Sequence, residues 1–244
     1  MTAMVSMEDV HKAFGEKQVL RGLDVDVAPG EILAIVGPSG AGKTTALRIL
    51  DLLDAPDRGR IRFHGRELEA KSPEGLSQRR RMAMIIQNPV AFRASVFENV
   101  AFGLWLRGID EAEIRGRVYA ALEFVGLLEM ANERADRLSG GEQQRIAFAR
   151  ASVVVPEVLF LDEFTANLDP ANVRTLEETT LRYRREARCT VVAVTHNLFQ
   201  AKRLADRVAL LIEGRFVEIA PTETFFEKPS TPEASAFLSG EMAY

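Results

Sequence analysis

"EILAIVGPSGAGKTTALRIL", residues 31–50, decides the fold. It opens on a short apolar run that reads as a buried strand and closes on a run with helical spacing. Between them stand Gly37, then Pro38, Ser39, Gly40 and Ala41, then Gly42, Lys43 and Thr44, the spacing of a phosphate-binding loop. The residue types suit the task. Glycine lets backbone N–H groups turn inward and crowd an anion where a Cβ would obstruct them. A helix starting near Gly42 adds its positive end. Lys43 offers a point charge to β- and γ-phosphates, and Thr44 a hydroxyl to Mg²⁺. The loop through Thr45 is therefore the candidate cradle of a nucleoside triphosphate. The alternative, a glycine-rich turn matching by chance, is weakened by the strand before it and the helix after it.

Composition narrows the class. The chain has 244 residues, 47% hydrophobic and 27% charged, enough for one large or two small domains with a proper core. A formal net charge of −4 argues against a general nucleic-acid-binding surface, and no nucleic-acid partner is expected. The single cysteine, Cys189, lies in "RCTVVAVTH". It cannot form an internal disulfide, fits a reducing compartment, and reads as a buried, inert thiol. The start, "MTAMVSMEDVHKAF", has no basic segment followed by an apolar core, so no secretory signal is expected. No apolar stretch approaches the ~20 residues that span a bilayer. The chain is expected in the cytoplasm, reaching a membrane only through a partner.

Along the chain, "LRGLDVDVAPGEILAIVG" suggests short strands with a turn at Pro29 and Gly30, and "RGRIRFHGREL" a hairpin closing at His64 and Gly65. "AMIIQNPVAF" reads as a strand ending at Gln87, broken by Pro89. From about Ser95 to Glu142 the character changes. "SVFENVAFGLWLRG", "DEAEIRGRVYAALEFVGLLEM" and "ANERADRLSGGEQQRIAFARASVV" read as successive helices. Alternation then returns, with "VLFLDEF" and "CTVVAVTH" as strands, "PANVRTLEETTLRYRREA" and "NLFQAKRLAD" as helices, and "RVALLIEGRFVEIA" as a hairpin. The tail, "PTETFFEKPSTPEASAFLSGEMAY", reads as a short helical appendage. Such alternation implies an α/β domain with a parallel-rich sheet and crossover helices, interrupted by a helical insertion.

Two further constellations carry chemistry. "VLFLDEF" ends in Asp162 and Glu163. Alone, this pair could cap the following turn. Beside a phosphate loop, Asp162 becomes the Mg²⁺ partner and Glu163 the acceptor of a proton from attacking water. In "RLSGGEQQR", Ser139, Gly140 and Gly141 precede a helix beginning near Glu142, a second helix start open to an anion. An N-capping serine would explain the serine but not the glycines, glutamate and glutamine after it.

These strings in this order resemble the nucleotide-binding subunits of ABC transporters. The resemblance covers essentially the whole chain: "GPSGAGKTT", Gln87 as the Q-loop, "LSGGEQQ" as the signature, "VLFLDEF" as the Walker B strand, Asn167 to Asp169 as the D-loop, and His196 as the switch histidine. It implies a P-loop NTPase (RecA-like) core with an N-terminal antiparallel β subdomain and an inserted α-helical subdomain. All of 1–244 would form one ABC ATPase domain, with 1–87 and about 146–244 as core and about 88–145 as the helical part. It implies ATP and Mg²⁺ as ligands and a head-to-tail homodimer. Each ATP would lie between residues 37–45 of one copy and Ser139, Gly140, Gly141 and Glu142 of the other. Phe14 matches the aromatic that stacks on adenine. Gln87 would sense Mg²⁺ and the attacking water, joining Thr44 and Asp162 at the metal. His196 would hold the γ-phosphate and order Glu163, and Asp169 would couple the two sites. One departure stands out: the family reads Asp-Glu-Pro-Thr where this chain has Asp162, Glu163, Phe164 and Thr165.

The resemblance also implies an integral membrane permease that docks a short helix near Gln87, and indirectly a substrate-binding protein. The chain would then sit peripherally on the inner face of the cell membrane. Phe92, Val96 and Trp105 are candidates for the permease contact; subdomain core is the alternative reading for all three and the favoured one for Trp105. "IIQNPVAFRASVFENVAFGLWLRG" is similar to the phosphate, tungstate and polar amino acid importers, and "FTANLDPANV" and "FLSGEMAY" to the tungstate subunits. Tungstate or a similar oxyanion is the expected cargo, with phosphate or polar amino acids as alternatives. A soluble, non-transport ABC ATPase is the reading from another class. It would carry a long coiled coil or a duplicated motif set, and this sequence has no sustained heptads and only one set.

Overall fold

The computed structural model describes residues 2–241. The last residues of "FLSGEMAY", 242–244, lie outside the described residues.

The chain forms two sheets. The first is antiparallel and built from β1 (Val5–Phe14), β2 (Lys17–Val27), β4 (Arg58–Phe63) and β5 (Arg66–Leu68) in the order β2-β1-β4-β5. The expected turn between β4 and β5 falls at His64 and Gly65, both at positive φ, the geometry that lets a two-residue connection follow strand twist. The second sheet joins β3 (Ile32–Val36), β6 (Met82–Ile85), β7 (Val158–Asp162), β8 (Thr190–Val194), β9 (Arg207–Ile212) and β10 (Arg215–Pro221) in the order β10-β9-β3-β8-β7-β6. All its neighbours are parallel except the edge pair β9 and β10. β3, β7 and β8 are buried throughout, which explains why they read as unbroken apolar runs rather than as alternation.

Nine α-helices accompany the sheets among the described residues. α1 (Lys43–Leu50) follows the phosphate loop, and α2 (Pro73–Arg79), which sequence reading did not find, precedes β6. α3 (Val96–Trp105), α4 (Glu111–Phe124) and α5 (Gly140–Ser152) make the helical insertion. α6 (Pro170–Ala187) and α7 (Leu198–Leu204) flank β8, and α8 (Thr222–Glu227) and α9 (Pro232–Ser239) close the chain.

One core is shared by the insertion and the sheet. Val100, Leu104, Val118, Leu122 and Phe148 of the helices pack in the same buried cluster as Leu159, Leu161 and Val191 of the strands. The other sheet face packs with α1 and the antiparallel sheet. At about 25 cal/mol per Å² of buried apolar surface, these two clusters supply most of the drive to fold.

Four expectations need correction. β6 stops at Ile85, short of Gln87. The segment read as one helix from Ala131 onward is mostly turns, with a single 3₁₀ turn over Ala135–Arg137, and α5 begins only at Gly140. The glycines and the capping serine explain the break, since Ser139 favours an extended N-cap. Val96 is fully buried and unavailable to a partner. Trp105 is 40% exposed rather than core, with its indole N–H donating to Glu111 Oε2 at 3.4 Å.

Candidate functional site

Strand register assembles the site. β3, β8 and β7 are consecutive neighbours, and Ile35 and Asp162 both lie opposite Val194. The chain therefore leaves the sheet at one level at three adjacent places: into the loop at Gly37, into Glu163, and into Thr195 and His196. This is the carboxyl edge of a parallel sheet, where α/β folds bind ligands.

At that edge Gly37 has φ +150, and a Cβ there would lie 2.1 Å from the Leu211 carbonyl oxygen. Only glycine fits. Lys43 is buried, and its Nζ donates to the carbonyls of Gly37 and Pro38, both at 2.7 Å. The ammonium thus sits inside the curl of the loop. Burial pushes its pKa down, and the charges of Glu163 and Asp162 push back. An approaching polyphosphate would restore what burial removes. Thr44 donates to Asp162 Oδ1 at 3.0 Å. Desolvation raises the Asp162 pKa, while the Thr44 bond lowers it.

Among the described residues, no group of three or more His, Cys, Asp or Glu side chains could hold a metal. One hydroxyl and one carboxylate suit Mg²⁺, which keeps waters and relies on substrate phosphates rather than on a protein cage. The donor set fits that ion.

Glu163 adopts φ 44, a strained conformation for a non-glycine residue, of the kind that persists where surrounding structure fixes it. Its N–H donates to Val194 O and its carbonyl accepts from Ala166 N, each at 2.9 Å. Its carboxylate lies 3.2 Å from His196 Nδ1. His196 is 67% exposed, so its pairing is with Glu163 and the open space beyond. Phe164 turns its ring into the core, 1% exposed. The residue that departs from the expected proline is thus held by packing.

Not all predicted residues join this cluster. Contrary to the expectation that a cap accounts for the serine alone, Ser139 and Glu142 form a capping box, so the cap explains the glutamate too: Ser139 N and Oγ donate to Glu142 Oε2 at 2.8 and 2.6 Å, and Glu142 N donates back to Ser139 Oγ at 3.4 Å. Gly141 lies so close to α6 that a Cβ would meet the Asn172 side chain at 2.4 Å. The second glycine stretch is therefore tied to the start of α6, the helix capped by Asp169, and not to the phosphate loop of its own chain. Gln87 is exposed. Phe14 is 56% exposed, at the β1–β2 turn.

Sequence reading missed the residues that hold these outlying groups. Asp57 receives Lys12 Nζ at 2.8 Å and Ala13 N at 2.7 Å, pinning the turn that presents Phe14. Asn99, fully buried in α3, accepts from Phe92 N and donates to Ser95 O. Arg150 of α5 donates to Val90 O at 3.1 Å and Asn99 Oδ1 at 2.7 Å. The segment after Gln87 is thereby fastened to the helix that begins at Gly140. An asparagine on the buried face of a mostly apolar helix is the one signal that the sequence offers.

Residues 20–166 match the family model described as ABC transporter. The chain is 40% identical to the "Phosphate import ATP-binding protein PstB 2" of Natronomonas pharaonis, over 98% of this chain and 88% of that one. It is 39% identical to the "Molybdate/tungstate import ATP-binding protein WtpC" of Pyrococcus horikoshii, over 98% of this chain and 68% of that one. Among solved structures it resembles the ATP-binding cassette MJ0796, a dimer in a post-hydrolysis state bound to ADP and Pi. The TM-score is 0.81 at 28% identity, covering 90% of this chain and 99% of that one.

Proposed function

The chain belongs to the ABC transporter ATP-binding family, and from that premise we propose that it is the ATP-hydrolysing subunit of an importer, working as a head-to-tail homodimer on a membrane permease. The family binds and hydrolyses ATP, and this chain is an ATPase. The observation that carries the rest is the separation within one chain. Lys43, Thr44, Asp162, Glu163 and His196 converge at one sheet edge, while the Ser139 helix start packs against α6 and its capping hydrogen bonds run between Ser139 and Glu142. A second copy supplies the missing wall.

In this reading the loop of residues 37–45, through its backbone N–H groups other than at Pro38, and Lys43 bind the phosphates, and Phe14 stacks on adenine. Thr44, Asp162 and Gln87 would hold Mg²⁺, which neutralises phosphate charge when bound. Glu163 takes the proton of the attacking water, and His196, 3.2 Å away, orients it and reaches the γ-phosphate. Ser139, Gly140, Gly141 and Glu142 of the other copy close on the same phosphate, so hydrolysis releases the dimer. The proposed division is one domain, 1–244, with residues 88–145 as the helical part, although α5 runs on to Ser152.

The permease surface is proposed around Gln87. Val90, Phe92, Phe102, Trp105 and Leu106 are exposed apolar residues of that region, beside a groove of about 330 Å³ lined by Ile86, Pro89 and Gly103. No helix among the described residues is long and apolar enough to cross a membrane. We place the chain on the cytoplasmic face through the permease, with a substrate-binding protein as its indirect partner. The cargo proposed is an oxyanion, tungstate or phosphate. The two relatives named for these cargoes stand at 39% and 40% identity.

Two measurements test this. Glu163→Gln with Mg-ATP should elute from gel filtration as a dimer, and Lys43→Ala should not; a Glu163→Gln chain that stays monomeric refutes the sandwich. Tagged chain drawn from gently solubilised native membranes should carry a multi-span permease in stoichiometric amount. A soluble complex instead would refute the importer reading.

A further inference from the structure

Gln200 occupies the position in α7 where a glutamine ordinarily reaches back to the N-cap N–H and completes a capping box. Here it does not. The Asn197 N–H donates to Thr195 Oγ1 at 3.0 Å, and Asn197 caps the helix through its own side chain, accepting from Gln200 N at 3.1 Å. The Gln200 amide is turned inward and buried, 1% exposed. Its Nε2 donates to Thr165 Oγ1 at 2.7 Å and to Glu177 Oε1 at 3.3 Å. Glu177, on α6, is also buried. Arg203 of α7 donates to both its oxygens, Nε to Oε2 at 2.8 Å and Nη2 to Oε1 at 2.7 Å. One amide therefore joins the loop after Glu163, α6 and α7.

That loop needs a hold. Glu163 and Asn167 both lie at positive φ, 44 and 63, and Phe164 brings no ring constraint to the backbone between them. Phe164 anchors one side of the loop through the core. Thr165 is the next residue, and its hydroxyl is the other anchor. Its partner Gln200 belongs to the helix whose lead-in carries His196, so a shift of this contact moves Glu163 relative to His196.

We propose that Gln200, fixed by the Glu177–Arg203 pair, is a positioning residue for hydrolysis: through Thr165 it sets the carboxylate of Glu163 against His196. The proposal rests on the reading of Glu163 as the base. Gln200 touches no nucleotide in this role. Its loss should slow the chemical step and leave ATP binding alone.

The test is steady-state ATP hydrolysis by the purified full chain. Gln200→Met keeps the volume and removes the donor. Thr165→Val keeps the shape and removes the acceptor, at a half-buried position where folding is less at stake. Each should lower kcat about 10-fold, within the ~10²-fold that a misplacement of about 1 Å can cost, with KM for ATP changed less than about twofold. The double variant should fall no further than the worse single, because both cut one link. Unchanged kcat in Thr165→Val, a loss carried by KM, or single losses that multiply in the double variant would overturn the proposal. Glu163→Gln, assayed alongside, separates the two readings. If it still hydrolyses ATP, the base assignment fails. If it is inactive while Gln200→Met and Thr165→Val are as fast as the parent, only the positioning role fails.

Discussion

Asp51→Asn should stabilise the protein by an amount that grows with pH. Asp51 follows α1, the helix that opens with Lys43 and Thr44. Its side chain is buried, 1% exposed, and its Oδ1 has no hydrogen-bond partner. Desolvation pushes its pKa up to about 7, with Arg79 and Arg48 pulling the other way. In the unfolded chain the carboxyl titrates near 3.9. The folded state therefore disfavours the carboxylate. The group costs nothing below about pH 4, and its cost rises until the pH passes the folded pKa near 7. Each pH unit of that interval is about 1.4 kcal/mol, so the full cost is about 4 kcal/mol, and about 2–3 kcal/mol of it accrues between pH 5 and pH 8. An asparagine stays neutral across the range. Urea unfolding of parent and variant at pH 5, 6, 7 and 8 reads the difference directly. The variant's advantage should widen by about 2–3 kcal/mol, or about 5–10 °C in Tm for a domain of this size. A difference that is flat with pH, or that shrinks as pH rises, would mean that Arg48 and Arg79 hold Asp51 ionised, and would refute the argument.

Other substitutions separate packing from function. Phe164→Ala should cost about 3–5 kcal/mol in urea unfolding, the usual loss for a fully buried phenylalanine, because the ring is in the core whatever its neighbours do. Trp105→Ala should cost less than about 1 kcal/mol, given its exposure, yet reduce recovery of the chain with membranes. Equal recovery of parent and variant would remove Trp105 from the proposed permease surface.

The parallel core was legible because its strands are buried on both faces and therefore read as continuous apolar runs. Residues 158–162 and 190–194 needed no more than that. The phosphate loop was legible because its spacing follows from what a backbone must do around an anion, and the hairpin turn at His64 and Gly65 because positive φ selects its residues. What failed is also physical. The sequence carries the strand to Gln87, with Pro89 as the break, but pairing with β7 stops at Ile85. Trp105 fits either a core or a contact position in the sequence, and only the packing of α3 shows that it faces outward. The Thr165–Gln200–Glu177–Arg203 chain was invisible, since its members come from three elements and Gln200 sits where a cap would have explained it.

The signature helix start holds a charge problem of its own. Glu142 keeps its carboxylate on Ser139, and those bonds hold its pKa down. In the proposed sandwich the same end of α5 meets the partner's γ-phosphate. Gly140 and Gly141 then offer backbone N–H groups to the anion, but the Ser139 hydroxyl must choose between phosphate and Glu142. Two like unit charges brought within about one Debye length, ~8 Å, would repel by on the order of 2 kcal/mol at an effective dielectric constant of about 20. Glutamine supports the same capping box without the charge. Glu142→Gln should therefore lower folding stability by no more than about 1 kcal/mol, the usual worth of an acid in a helix's first turn, and close the dimer at ATP concentrations at least about 10-fold lower, measured by light scattering in the Glu163→Gln background. The gain should shrink as salt is raised. Closure at the same or higher ATP concentration would mean that the negative charge at Glu142 does not oppose the phosphate, and that this helix start meets the partner in some other way.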